Sequence, residues 1–246
     1  MQKKALIVGI NNYKISPLTG MVNDASDWAR SLHPETQTKM LLNGYATKNN
    51  ILDSIKWLIS ETEPGDSLAL IFCGNGTTVL NQDRDIDECL CPVDFELANV
   101  ITPKELREQF DPLPPGRYLD VVLSCCFSGS ATPPPKTKGL LKEQYIIGPT
   151  PTKTHRNTME GFIPPGTNGA IWHACGSGQT TWEAIIGAEA RSFFSYYMAK
   201  SYRQLGIVSS RAALHASMKK QMLKIISSQD PWLEADRISN SKLAFA

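Results

Sequence analysis

Apolar residues in this chain gather into short uninterrupted runs, each closed by small or turn-forming residues. Residues 4–8 are stopped by Gly9, and residues 67–73 run into Gly74-Asn75-Gly76. Residues 118–123 lead into Ser124-Cys125-Cys126-Phe127-Ser128-Gly129, and residues 169–174 into Cys175-Gly176-Ser177-Gly178. Continuous apolar runs of this length suit parallel strands covered on both faces, where neither side needs to be polar. Between them the spacing turns helical. Residues 23–32 follow Gly20, and residues 47–60 open with Thr47 as a candidate cap and carry Ile51, Ile55, Leu58 and Ile59 at helical spacing. Thr102-Pro103 starts another helix, with Thr as cap and Pro where a missing N–H costs nothing. Two longer helices are predicted over 191–205 and 209–227. The alternation predicts an α/β sandwich, a mainly parallel central sheet flanked by helices, with 1–246 forming one domain.

One stretch breaks the pattern. Residues 131–168 hold prolines 133, 134, 135, 149, 151, 164 and 165 of the chain's 16, too many for a regular core element throughout. They read as a surface loop. Because they directly follow Cys126 and offer Lys136, Lys138, Lys142, Lys153 and Arg156, they are also a candidate processing loop.

Charge and composition then remove whole classes of function. Twenty-five Lys+Arg against 24 Asp+Glu give the 246 residues a net charge of +1, with no basic cluster for nucleic acid. The apolar runs fall short of the ~20 residues a membrane span needs. The start, Met1-Gln2-Lys3-Lys4 and a short apolar run, reads as a first strand and not a signal peptide. A cytoplasmic protein with no membrane partner is expected. The cysteines at 73, 89, 91, 125, 126 and 175 lack the CxxC pairs of a zinc site and read as thiols, buried or reactive. No phosphate-cradling glycine motif follows the first strand, which continues Gly9-Ile10-Asn11-Asn12-Tyr13.

Ligands of doubly wound sheets gather beyond the carboxyl ends of strands. Two such ends stand out: Cys73-Gly74-Asn75-Gly76, and Ser124 to Gly129. A cysteine there, followed by small residues with free amides, is where an activated thiolate and an oxyanion site can be assembled.

The order of motifs then resembles a family, the caspase/metacaspase cysteine peptidases, in their prokaryotic and metacaspase-like branch. Lys4 to Tyr13 matches the opening strand, and Leu18-Thr-Gly-Met-Val-Asn-Asp24-Ala25 the segment L-x-G-C-x-N-D-A. Phe72 to Thr77 stands where the family has S-G-H-G-T, and Asp83 to Asp94 where it has an acidic run. Ser124 to Gly129 stands for D-[SC]-C-H-S-G, Ala174 to Glu183 for A-C-x-x-x-Q-x-A-x-E, and Ser192 to Tyr196 for a helix start. The resemblance implies Cys126 as nucleophile, position 75 as the catalytic His, and the Gly76 and Cys126 amides as oxyanion donors. It implies a primary pocket at Asp24, Met21, Cys73 and Ser124, and cleavage of a protein or peptide substrate after Arg or Lys, since Asp24 can pair a cation. Asp24 also reads as an N-terminal cap of its own helix, and the two roles are compatible.

The departures fall on the site. Asn75 has no basic nitrogen, so it can neither take the thiol proton nor return one to a leaving amine. Ser124 replaces an acidic residue, Phe127 a His, and Met21 a Cys. Asn75 is either an engineered substitution in a protease or native to a pseudopeptidase that serves as a regulatory or protein-binding module. Retained Cys126 and Asp24 favour an active parent. Residues 232–246, with little helical periodicity, are a candidate partner surface. His173, near a strand end, reads as structural, and His33, His155 and His215 show no link to Cys126. No cofactor is expected. Calcium dependence, common in the metacaspase branch, is not expected, because Thr102-Pro103 and Pro133 stand at acidic ligand positions, and Asp83, Asp85, Asp87, Glu88 and Asp94 read as a solvated acidic loop.

Overall fold

The computed structural model describes the chain except residues 84, 97, 126, 128–139, 144–155, 158–161, 177–178, 207 and 246, and only the backbone of 140–143 and 156–157. In chain order the elements are β1 (Lys3–Gly9), α1 (Met21–Ser31), β2 (Gln37–Leu42), α2 (Lys48–Ile59), β3 (Ser67–Cys73), β4 (Gly76–Leu80), β5 (Ile86–Leu90) and α3 (Pro103–Phe110). There follow β6 (Tyr118–Ser124), β7 (Leu140–Glu143), β8 (Arg156–Asn157), β9 (Asn168–His173), β10 (Trp182–Ile186), β11 (Glu189–Ser192) and α4 (Phe193–Leu205). The last are α5 (Arg211–Met222), β12 (Trp232–Glu234) and α6 (Arg237–Ser241).

The main sheet has the order β12-β9-β6-β3-β1-β2. All its pairings are parallel except that of the edge strand β12 with β9. As the apolar runs predict, β3 is buried along its whole length, and β1, β6 and β9 along all but their first residues. The crossovers β1-α1-β2 and β2-α2-β3 run in opposite directions along the sheet. Right-handed connections therefore put α1 and α2 on opposite faces. α4 packs on α1 and α5 on α4, while α3 packs beside α2, which completes the two helical layers.

The caps explain where helices start. Thr47 accepts from the Asn50 N–H. Thr102 and Glu105 form a reciprocal capping box with Pro103 at the first helical position. Thr102→Ala is expected to cost about 1 kcal/mol, a fall in melting temperature of about 2–4 °C by thermal denaturation.

Several expectations need correction. α1 begins two residues earlier than the apolar pattern suggested, because Asn11 Oδ1 accepts from the Met21 and Val22 N–H groups at 2.9 and 3.3 Å. Residues 189–192 are a strand before α4, and α5 runs only over Arg211–Met222. The tail is partly built into the fold: β12 closes the sheet edge and Phe245 is buried against Trp28, Trp172 and Tyr202, while Ile238 and Leu243 stay exposed. The acidic run is only partly a solvated loop: Asp83 and Asp94 are exposed, but Asp87 and Glu88 are buried in β5, where Asn81 Nδ2 donates to Asp87 at 3.0 Å. Of the proline-rich stretch, β7 pairs with β10 and β8 with β5. Its lysines other than Lys142 lie outside the described residues, and nothing is described of the Lys142 and Arg156 side chains.

Candidate active site

The sheet's topology reverses between β1 and β3, the position where doubly wound sheets open a crevice at their carboxyl ends. The register aligns Gly9 with Cys73 and Cys73 with Ser124, so the ends of β1, β3 and β6 lie level. Beyond them come the loop with Tyr13 and Ser16, the segment Gly74-Asn75, and Cys125. Cys126 lies outside the described residues.

Asn75 is fully buried and held on every side but one. Its N–H donates to Tyr13 Oη at 3.0 Å, and the same hydroxyl donates to the Cys91 carbonyl at 2.9 Å. The Cys91 N–H returns to the Asn75 carbonyl at 3.0 Å. The side-chain Nδ2 donates to the Ser16 carbonyl at 2.9 Å, while Oδ1 is buried with no hydrogen-bond partner among the described residues. An unsatisfied buried amide oxygen costs roughly 1–3 kcal/mol. Burial, reinforced by nearby Cys91, pushes the Tyr13 phenol well above its usual range, so it remains a neutral clamp.

Gly74 makes that clamp possible, because a Cβ there would strike Tyr13 Oη. Gly74→Ala should therefore expel the phenol, and Tyr13→Phe should orphan the Asn75 N–H. Each is expected to lower stability by about 1–3 kcal/mol in urea titration. Gly76 starts β4 opposite Leu90.

Three of the four pocket residues come together. Asp24 is fully buried, and its oxygens lie 3.3 and 3.1 Å from the Ser192 N–H. The Ser192 hydroxyl, also bonded to Asp24, lies 3.2 Å from Ser124 Oγ and accepts from the Ser195 N–H at 3.1 Å. Ser195 Oγ is 3.7 Å from Cys73 Sγ. Burial pushes the Asp24 carboxyl well above the usual carboxylate range against the Ser192 bonds, and Glu183 and Asp27 add to the rise. Burial, with Asp24 nearby, likewise raises the Cys73 thiol. Met21 is buried as the first residue of α1.

Asp24 does not cap its own helix. Gly20 occupies that place, and Glu183 accepts from the Thr19 and Gly20 N–H groups. Asp24 instead binds Ser192, the N-cap of α4. Ser192, Ser195, Tyr13 and Glu183 were visible in the sequence only as motif positions; Ser16 carried no signal, since a backbone carbonyl has no residue type to mark it. His173 belongs to the sheet edge: its ring stacks on Trp232 at 4.2 Å and Nε2 is 3.6 Å from Glu234. β6 separates it from β3. His33 Nδ1 accepts from the Glu35 N–H, His215 Nε2 meets the Pro231 carbonyl, and His155 lies outside the described residues.

The residues at the calcium positions do not fit a hard cation. The Thr102 hydroxyl is engaged with Glu105 on both sides, and Pro103 has no side-chain oxygen. Pro133 lies outside the described residues. Among the described residues no three His, Cys, Asp or Glu gather into a metal-holding group.

The family model of the metacaspase, peptidase C14 domain matches residues 3–135, more than half of the chain. The chain belongs to this family. Metacaspase-1 of Scheffersomyces stipitis is 33% identical over 167 residues, 59% of this chain and 41% of that protein. Metacaspase-1A of Aspergillus niger is 28% identical over 254 aligned positions, 82% of this chain and 63% of that one. The metacaspase chain described here thus spans about two-fifths to three-fifths of the length of these relatives. Among solved structures, a Geobacter sulfurreducens protein superposes with a TM-score of 0.77 at 16% identity, over 100% of this chain and 99% of the other. Caspase-1 of Spodoptera frugiperda does so with 0.59 at 13%, over 100% and 90%. At such identities the likeness concerns the fold, and the fold is caspase-like. Among the described residues no helix is long and apolar enough to cross a membrane.

Proposed function

We propose that residues 1–246 act as one metacaspase-type domain whose cleft holds a peptide or protein segment without cutting it, a pseudopeptidase with a regulatory or recruiting role. The observation that carries this is Asn75. At the position that the resemblance assigns to the general base stands a buried amide, with Nδ2 committed to Ser16 and no nitrogen able to accept a proton. Its unpartnered Oδ1 suits an N–H donor from a bound segment. A cytoplasmic, reducing setting belongs to the proposal, supported by the buried thiols of Cys73, Cys89 and Cys91, none in a disulfide. The test is hydrolysis of a fluorogenic peptide panel by the chain as given, beside Cys126→Ala. Equal background rates are expected; turnover that depends on Cys126 overturns the proposal.

A second reading has its own observation. The Tyr13–Gly74–Asn75–Cys91 clamp is complete, so the loop that would carry a histidine is intact. This favours a cysteine endopeptidase with Cys126 as nucleophile and the Gly76 amide at the oxyanion, disarmed at one position. The Arg/Lys preference has less support, because Asp24 is buried and turned onto Ser192.

A further inference from the structure

The pocket that the resemblance makes anionic is built here from hydroxyls. Asp24, Ser192, Ser124, Ser195 and Cys73 form one buried, connected set joining α1, the start of α4 and the ends of β3 and β6. The neighbouring charges are already engaged. Arg191 Nε donates to Asp27 at 2.6 Å and its Nη2 to Glu189, while Arg30 also binds Asp27. Glu183, the other buried acid facing Asp24, accepts from the N–H groups of Thr19 and Gly20 ahead of α1.

An arriving Lys or Arg would have to draw Asp24 away from Ser192. That move would orphan the N–H of the residue that caps a 13-residue helix. It would also bury the incoming cation with Asp24 as the pocket's own carboxyl, since Ser124 stands at the second acidic position of the family pocket, Met21 is apolar, and Glu183 is already bonded to the Thr19 and Gly20 N–H groups. A side chain with no charge asks for neither change, and Ser124, Ser195 and Cys73 offer it hydroxyl and thiol partners.

We infer that the primary pocket of this domain takes an uncharged side chain, and that Asp24 is a positioning residue holding the start of α4 against the ends of β3 and β6. The inference rests on the cleft being a peptide site. The upward shift of the Asp24 pKa by burial agrees with it, because burial favours the uncharged carboxyl, which accepts a backbone N–H without needing a cation.

Two measurements test it. In Asn75→His, thiol-reactive peptidyl ketones identical except for a terminal Arg, Gln or Ala are compared by the rate of Cys126 modification, read by mass spectrometry against Cys126→Ala. The better uncharged probe should exceed Arg by at least about tenfold, with the ratio unchanged in Asp24→Asn. A faster Arg probe that slows in Asp24→Asn overturns the pocket assignment. If no probe labels Cys126, binding of the matching unreactive peptides decides instead. Retention of none of them overturns the peptide-cleft reading and the assignment together, retention of the Arg peptide above the uncharged ones overturns the assignment alone, and the second measurement still decides the positioning role. There, Asp24→Ala should lower the melting temperature by about 5 °C, while Asp24→Asn, which keeps an oxygen for the Ser192 N–H, should restore most of it. Equal losses in the two variants overturn that role.

Discussion

Asn75→His is expected to hydrolyse an uncharged-pocket peptide panel about 100- to 10,000-fold faster than the chain as given, the range that a general acid–base contributes. The gain should vanish in Asn75→His with Cys126→Ala. The geometry makes a histidine productive. The Ser16 carbonyl that now takes the Asn75 Nδ2–H would take one imidazole N–H, fixing the tautomer and leaving the other nitrogen basic. The backbone would already be in place, since Tyr13 Oη and the Cys91 N–H hold the N–H and carbonyl of residue 75, whatever its side chain. A working imidazole must be unprotonated to accept the thiol proton. The rate of the variant should therefore rise with pH through a histidine pKa, about 6.5 when unperturbed. A flat profile, or a rate no higher than that of the unsubstituted chain, would locate the loss elsewhere, at Ser124 or Phe127.

Strand ends were legible and side-chain partners were not. The runs ending at Gly9, Cys73 and Ser124 marked the β1, β3 and β6 ends because a buried parallel strand must be apolar on both faces. The edge strands β2 and β12 and the hairpin β10–β11 left no such mark. β2 has exposed and half-buried positions along most of its length, and β12 is only three half-buried residues. Arg191 and Ser192 were absorbed into the helix they precede, since the four-residue strand Glu189–Ser192, ending at a helix cap, has no periodicity of its own. Asp24 shows the same limit at the site. Its place near Cys73 and Ser124 followed from the motif order, whereas its partner is 168 residues away and is partly a backbone N–H, which leaves no compositional trace. Pro103, Thr47 and Thr102 succeeded because a cap acts within three or four residues.

The largest stability loss is expected from Arg211→Met, about 3–5 kcal/mol, which amounts to roughly 6–20 °C in melting temperature. Arg211 and Asp120 are both fully buried, an arrangement that charged residues adopt only when paired. Arg211 Nε and Nη2 grip the two Asp120 oxygens at 2.8 and 2.9 Å. The remaining contacts satisfy the pair: Nη1 reaches the Ser239 carbonyl, Nη2 the Asn168 carbonyl, and Asp120 also accepts from Trp172 Nε1 and the Phe245 N–H. One carboxylate in the middle of β6 thus ties α5, β9, α6 and the tail to the strand that leads towards Cys126. Removing the guanidinium leaves Asp120 buried with two N–H donors and no countercharge, and most of the cost comes from that stranded charge and not from the lost attraction. The double variant Asp120→Asn with Arg211→Met removes the charge while an amide oxygen remains for one of the two donors, which bind different Asp120 oxygens. It should therefore be more stable than Arg211→Met alone. If the double variant is instead the less stable of the two, the loss lies in packing around the guanidinium, and the ion pair does not hold the C-terminal half to β6.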